Sequence, residues 1–182
     1  MSEAPLVTMF STALNIVTSG ASDIIILGSG GSVVQAGNGS NTVTVGAAND
    51  GALNDNISTG SGDDLILSSA TRLTSNLTLQ AGAGSDTFEV VTDASIADGD
   101  LAQVSGIEIL KLSADAADNG QSLTLAGNAA SAGVTSVETT TAGANDHITV
   151  DASAFANALS INTGAGNDLI TLGAGGSVVD VG

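Results

Sequence analysis

Apolar residues punctuate this chain at short, regular intervals. Ile25, Val34 and Val43 stand nine residues apart, Ile57 and Ile66 repeat the step, and so do Ile170 and Val179; Ala52 is the weak member of the series. Leu77 and Leu79, and again Leu159 and Ile161, alternate with polar neighbours at the period of two that marks a half-buried strand. Two residues before each apolar position lies a marker residue: Asp23, Ser32, Asn41, Asp50, Asp55, Asp64, Asp168 or Ser177. The pattern predicts short strands joined by tight, polar turns, and no long amphipathic helix.

The turns share a phrase. It reads Thr59-Gly60-Ser61-Gly62-Asp63-Asp64-Leu65-Ile66, Ala81-Gly82-Ala83-Gly84-Ser85-Asp86-Thr87-Phe88 and Thr163-Gly164-Ala165-Gly166-Asn167-Asp168-Leu169-Ile170. Glycine lets the backbone turn tightly and aim carbonyl oxygens inward, Asp adds a carboxylate, and such hard oxygen donors suit Ca²⁺. The phrase resembles the calcium-binding nonapeptide of RTX (hemolysin-type) proteins, glycine-glycine-x-glycine-x-Asp-x-apolar-x. The resemblance implies an all-β fold, a parallel β-roll or β-solenoid with Ca²⁺ held in its glycine–Asp turns. Asp64, Asp86 and Asp168 would be ligands, with the turn glycines Gly60, Gly62, Gly82, Gly84, Gly164 and Gly166. Asp23 and Asp146 follow turns in which Ala21 and Ala144 replace the second glycine, where a Cβ can bar the required conformation. Asn41 keeps Gly37 and Gly39 but offers a neutral amide, which either completes a site or hydrogen-bonds along an asparagine ladder. Asp55 lacks the glycines and reads equally well as a turn former; Asp63 is expected to face solvent.

Two nonapeptides make one turn of such a roll, so markers 18 apart are expected to stack about 4.8 Å apart. Asp23 then lies over Asn41 on one edge, with Ser32 and Asp50 on the other. Further on the turn lengthens: Asn41 to Asp64 is 23 residues, and Asp64 to Asp86 and Asp146 to Asp168 are each 22. In these last two segments Leu73, Leu77 and Leu79 correspond to Phe155, Leu159 and Ile161. The expectation is one continuous calcium edge of Asp23, Asn41, Asp64, Asp86, Asp146 and Asp168.

Between Asp86 and Asp146 the phrase fades. Segments Val104–Glu108 and Val134–Glu138 lie 30 apart, so two longer turns are expected there, with solvated acidic loops carrying Asp93, Asp98 and Asp100, and Asp115 and Asp118. The organisation reads as RTX-like rungs over 1–92, longer degenerate rungs over 93–140, and RTX-like rungs over 141–182 that repeat 1–37. Phe10–Gly37 and Phe155–Gly182 align without gaps with 15 identities in 28. Solenoids need capped ends to stay soluble monomers. The uncapped repetition therefore predicts either a segment of a longer tandem array or ends that join other copies.

Composition narrows the function. Nineteen acidic residues face two basic ones, Arg72 and Lys111, for a net charge of −17, and Asp far outnumbers Glu. Short Asp belongs in tight turns and beside metals; such a charge repels nucleic acid and anionic membranes. A 42% hydrophobic, periodic chain is too apolar for a disordered one. Cysteine is absent, which suits an exported protein stapled by metal rather than sulfur. No stretch approaches a membrane span. The start, Met1-Ser2-Glu3-Ala4-Pro5, lacks a secretory signal; RTX-like proteins generally leave the cell through a C-terminal signal, and no such tail is evident.

Enzymatic readings find little purchase. His147 is the single histidine and is expected to face outward; there is no cysteine nucleophile and no zinc cluster. Asp63 and Asp64 could imitate a glycosidase pair, but the chain has no Trp or Tyr to line a sugar cleft. Gly28-Ser29-Gly30-Gly31 lacks the Lys and helix of a phosphate loop. The threonine tracts at 42–44 and 139–141 do not recur at one register, as an ice-binding ladder requires. The segment Gly106–Leu112 among RTX-like turns resembles bacterial S-layer and giant surface proteins. Two functions remain. The first is a calcium-stabilised structural protein of the bacterial cell surface, not an enzyme, assembling with other copies of itself into an S-layer, filament or adhesin stalk. The second is a calcium-responsive RTX module of a secreted enzyme or toxin.

Overall fold

The computed structural model describes residues 6–8, 14–46, 54–73, 77–92, 95–113, 120–139 and 147–182. One face is a nine-stranded sheet of β1 (Leu6–Thr8), β3 (Ile24–Ile26), β5 (Thr42–Thr44), β7 (Leu65–Ser68), β9 (Thr87–Val90), β12 (Ile109–Leu112), β14 (Ser136–Thr139), β16 (Ser160–Gly164) and β18 (Val178–Val181), adjacent in that order. The intervening strands form two more sheets. Five make the first: β2 (Asn15–Val17), β4 (Val33–Gln35), β6 (Asp55–Ser58), β8 (Leu77–Gln80) and β11 (Val104–Ser105). Four make the second: β10 (Ser95–Ile96), β13 (Gln121–Thr124), β15 (Ile148–Ala152) and β17 (Leu169–Leu172). All the described pairings are parallel. The chain thus winds as a parallel β-solenoid of the β-roll kind, leaving and re-entering the nine-stranded sheet once per turn.

The apolar markers are the reason it winds this way. Side chains alternate across a strand, so one central residue of each short strand points inward. Up the nine-stranded sheet these residues stack in register as Ile25, Val43, Ile66, Phe88, Leu110, Val137 and Ile161, all buried. Ile16, Val34, Ile57, Leu79 and Val104 form the facing stack. Burying each such side chain is worth about 1.5–3 kcal/mol, and all these residues belong to one continuous core.

Register follows turn length. Ile24 pairs with Thr42, Thr42 with Leu65 and Leu65 with Thr87, the steps of 18, 23 and 22 expected from the markers. Val33, however, pairs with Asn56, so Ser32 stands beside Asp55 and not Asp50, which lies outside the described residues. Segments 104–108 and 134–138 do not stack at their 30-residue spacing either: Ile109 pairs with Ser136, a step of 27. Helical pieces take up extra residues in two of the longer turns, α1 (Ala70–Leu73) between β7 and β8 and α2 (Gly127–Ala132) between β13 and β14. Among the described residues no helix is long and apolar enough to cross a membrane.

Phe88 is the only aromatic residue of the inward stack and is fully buried. Phe88→Ala is expected to lower unfolding free energy by roughly 3–5 kcal/mol, measured by urea denaturation, whereas Thr87→Ala on the outward side of the same strand is expected to cost under about 1 kcal/mol.

Candidate metal centre

Parallel stacking leaves one backbone N–H unpaired just before each strand, and the marker residues answer it. The Asp23 N–H donates to Asn41 Oδ1 (3.0 Å), the Asn41 N–H to Asp64 Oδ1 (2.7 Å), the Asp64 N–H to Asp86 Oδ1 (2.8 Å) and the Asp86 N–H to Glu108 Oε2 (2.9 Å). Each side chain caps the marker of the preceding turn, so the column Asp23–Asn41–Asp64–Asp86–Glu108 is a continuous side-chain-to-backbone ladder. The same bond recurs where the chain has left the nine-stranded sheet, from the Ser32 N–H to Asp55 Oδ1 (2.8 Å) and from the Ile148 N–H to Asp168 Oδ1 (3.0 Å).

The glycines allow the turns to sit this close. Gly82 has φ +104°, and a Cβ built on it would lie 1.9 Å from the Gly60 carbonyl oxygen of the turn beneath. Gly60, Gly62, Gly84, Gly164 and Gly166 also have positive φ. Carbonyls of these turns take part in the ladder: Gly60 O accepts from the Ala83 N–H (3.0 Å) and Ala83 O from the Gly62 N–H (2.9 Å).

In Asp64 and Asp86 one carboxylate oxygen is accounted for and the other is not. Asp64 Oδ2, Asp86 Oδ2 and both carboxylate oxygens of Asp23 are buried with no hydrogen-bond partner. Burial pushes the Asp64 carboxyl up, against the hydrogen bonds from Asn41. Asp86 is pushed up to about 6, first by burial, against the bond from the Asp64 N–H, and further by the neighbouring charges of Asp64, Glu108 and Asp63. Neither basic side chain relieves this: Arg72 pairs with Asp55, and Lys111 with Glu89 (3.1 Å) on the outward face. Buried, unpaired carboxylate oxygens are hard donors of the kind a hard cation takes. Among the described residues no three His, Cys, Asp or Glu side chains converge, so such an ion would draw on backbone carbonyls as well.

The structure corrects the single calcium edge. Asp23, Asn41, Asp64 and Asp86 share a column at the entrance to the nine-stranded sheet, but Asp168 precedes β17 of the four-stranded sheet, where the chain has just left the larger one. The reason is parity. The stretch after Asp86 adds both β10 and β11 before β12 and carries the C-terminal turns half a turn out of phase with the N-terminal ones. Asp146 lies outside the described residues, and β15 and β17 pair at a step of 20, Thr149 with Leu169, not 22. Asn41 brings a donor where the resemblance wants a ligand: its amide nitrogen contacts Gly39 O (2.7 Å), Asp64 Oδ1 (3.0 Å) and Thr59 O (3.1 Å). Asp63 is exposed, as expected, and also accepts the Ser85 N–H (2.8 Å). His147 is exposed.

Three functional side chains escaped the sequence reading. Glu108 continues the column because Ile109 pairs with Thr87; the signal was a Gly-x-Glu preceding an apolar strand. Asp55, read as a turn former, is buried against Arg72, itself fully buried on α1; the single arginine of the chain, set between Ala70 and Leu73, was the clue. Asp98 is no solvated loop residue. Its carboxylate accepts the N–H groups of Ala126 (2.7 Å), Ala129 (2.9 Å) and Asn128 (3.0 Å), capping α2 from a distant part of the chain. Comparison of the chain with protein-family models, curated proteins and solved structures returned no match.

The raised Asp86 and Asp64 carboxyls set a pH dependence. A folded-state value above the unfolded one favours the protonated form. For Asp86 the stability contributed is complete below about pH 4 and is lost as pH rises through about 6, on the order of 3 kcal/mol. Asp98 acts in the other sense and only at lower pH: burial raises its carboxyl, but the three backbone N–H groups outweigh burial and hold it below its ordinary value. In chelator, Tm is expected to fall between pH 4 and pH 7, and Asp86→Asn is expected to flatten that fall.

Proposed function

We propose that this protein is a calcium-stabilised structural protein of the bacterial cell surface, similar in kind to RTX repeat proteins, that assembles with copies of itself into an S-layer, filament or adhesin stalk. The observation carrying this reading is the pair of buried, unpaired carboxylate oxygens, Asp64 Oδ2 and Asp86 Oδ2, in a column continued by half-buried Glu108 and with no basic partner. Carboxylates about 4.8 Å apart repel by roughly 3 kcal/mol at a protein-like effective dielectric. Ca²⁺ bound between the turns supplies the missing charge and coordination. Asp64 and Asp86 would hold it through Oδ2, with Glu108 and carbonyls of the Gly60–Gly62 and Gly82–Gly84 turns beside them. The Gly164–Asp168 turn offers a separate position at the opposite crossing. Metal binding free energy is then folding free energy, which suits an extracellular setting and a chain without disulfides.

Self-assembly rests on the repeated rung. β2 with β4 and β16 with β18 pair at the same step of 18, with Ile16, Val33 and Val34 of the first pair repeated as Ile161, Val178 and Val179 in the second. Leu169, Val178 and Val181 are 62%, 71% and 56% exposed along β17 and β18, and a strand edge with apolar residues is a template for another chain. A head-to-tail contact of this kind builds a linear array rather than a closed dimer.

Chelation is expected to lower Tm and β-sheet circular dichroism, with restoration by millimolar Ca²⁺ and poorly by Mg²⁺, whose octahedral demand is stricter; identical melts with and without chelator would remove the calcium reading. Asp86→Ala is expected to reduce calcium stoichiometry and Asp63→Ala to leave it unchanged. For assembly, light scattering and electron microscopy on adding Ca²⁺ are expected to show fibres or sheets. Val178→Lys should suppress that growth without loss of fold, and a calcium-loaded protein that stays monomeric at high concentration would overturn it.

A further inference from the structure

At one turn of the column the place between neighbouring rungs is already filled. Around Asn41 Nδ2 lie Gly39 O at 2.7 Å, Asp64 Oδ1 at 3.0 Å, Thr59 O at 3.1 Å and Gly37 O at 3.4 Å. These four oxygens come from two successive turns, one of them a carboxylate, gathered about a single electropositive nitrogen. The orientation of the amide is fixed from both ends, because its oxygen accepts the Asp23 N–H. The reverse orientation would set a carbonyl oxygen against those acceptors. Asn41 is buried, and all its side-chain polar atoms are engaged, unlike Asp64 Oδ2 and Asp86 Oδ2 one and two turns further on. Where the chain has left the nine-stranded sheet a second device serves the same rungs. The Arg72 guanidinium, fully buried, pairs with Asp55 Oδ2, while Asp55 Oδ1 caps Ser32.

We propose that the Asn41 amide is a built-in replacement for a cation and that, with Arg72, it makes the segments 32–46 and 55–59 a metal-independent platform on which the Asp64–Asp86–Glu108 turns close when an ion binds. The proposal rests on the calcium reading of Asp64 and Asp86. It assigns the two halves of the column different chemistry. An amide supplies hydrogens to a fixed set of oxygens with no ion to lose, whereas two stacked carboxylates require one. A further consequence is a latent site: an aspartate at 41 would remove the donor, place a third carboxylate in the column and leave the oxygens of Gly37, Gly39, Thr59 and Asp64 free to bind a cation.

Hydrogen exchange read by mass spectrometry on the full chain, with and without chelator, tests the platform. Amides of residues 42–46 and 56–59 are expected to keep their protection in chelator, while those of residues 87–91 and 109–113 lose theirs and regain it with Ca²⁺. Asn41→Asp is expected to bind one more Ca²⁺ per chain than wild type by equilibrium dialysis, and its residues 42–46 should become chelator-sensitive. Asn41→Ala, which supplies neither hydrogens nor a carboxylate, should lose protection there whether or not Ca²⁺ is present. Equal exchange of both regions in chelator, or an Asn41→Asp variant with no additional ion, would overturn the proposal. A wild type that binds no Ca²⁺ at all would instead remove the calcium reading. In that case the Asn41→Asp stoichiometry alone decides the latent site: an ion gained retains it, and none gained removes it.

Discussion

The bond on which this roll depends runs from a backbone N–H to the side chain one turn away. A parallel stack satisfies its strands but not the residues entering them, and a buried unpaired N–H costs about as much as a lost hydrogen bond. Asp, Asn and Glu at the markers solve that problem with one oxygen or amide, and in doing so create the next. The second carboxylate oxygen, where it is buried, then needs a partner of its own. Asn41 avoids the difficulty by carrying its own donors, and Asp55 by meeting Arg72. Asp64 and Asp86 do neither. The candidate metal centre is therefore a by-product of the same substitution pattern that holds the turns together.

Much of this was legible because the repeat is short. A residue two places after each marker had to be apolar for the strands to bury anything, so Ile25, Val43, Ile66 and Phe88 announced both the strand and its inward side. Steps of 18, 23 and 22 followed from the markers themselves, since each marker has only one neighbour below it. Parity was the part that could not be read. Between Asp86 and Asp146 the phrase fades and gives no count of half-turns, and the added β10 and β11 shift every later turn to the other crossing without altering its local sequence.

Local motif and local role also part company at single residues. Asn41 sits in an unbroken glycine turn, and nothing in the phrase reveals that its amide nitrogen, not its oxygen, would face Gly39 and Thr59. Glu108 lacks the phrase and still occupies the column, because its longer side chain reaches the Asp86 N–H. Asp98 looked like solvent-facing charge until α2 supplied three N–H groups 28 to 31 residues away in sequence. In each case the deciding partner comes from another turn, and sequence spacing alone does not say which.

The half-turn displacement has a geometric consequence for any array joined through the repeated rung. In the first copy of that rung β2 and β4 belong to the five-stranded sheet; in the second their counterparts, β16 and β18, belong to the nine-stranded sheet. Units that overlap by matching one copy to the other are thereby related by rotation of about half a revolution combined with translation along the axis. This is a two-fold screw, so consecutive units present opposite broad faces to the same side. Ile24 and Ile26, exposed on the nine-stranded face, would then alternate along each flank with the five-stranded face of the next unit, where exposed Val17 and Val33 are interspersed with Asn15, Gln35 and Asn56.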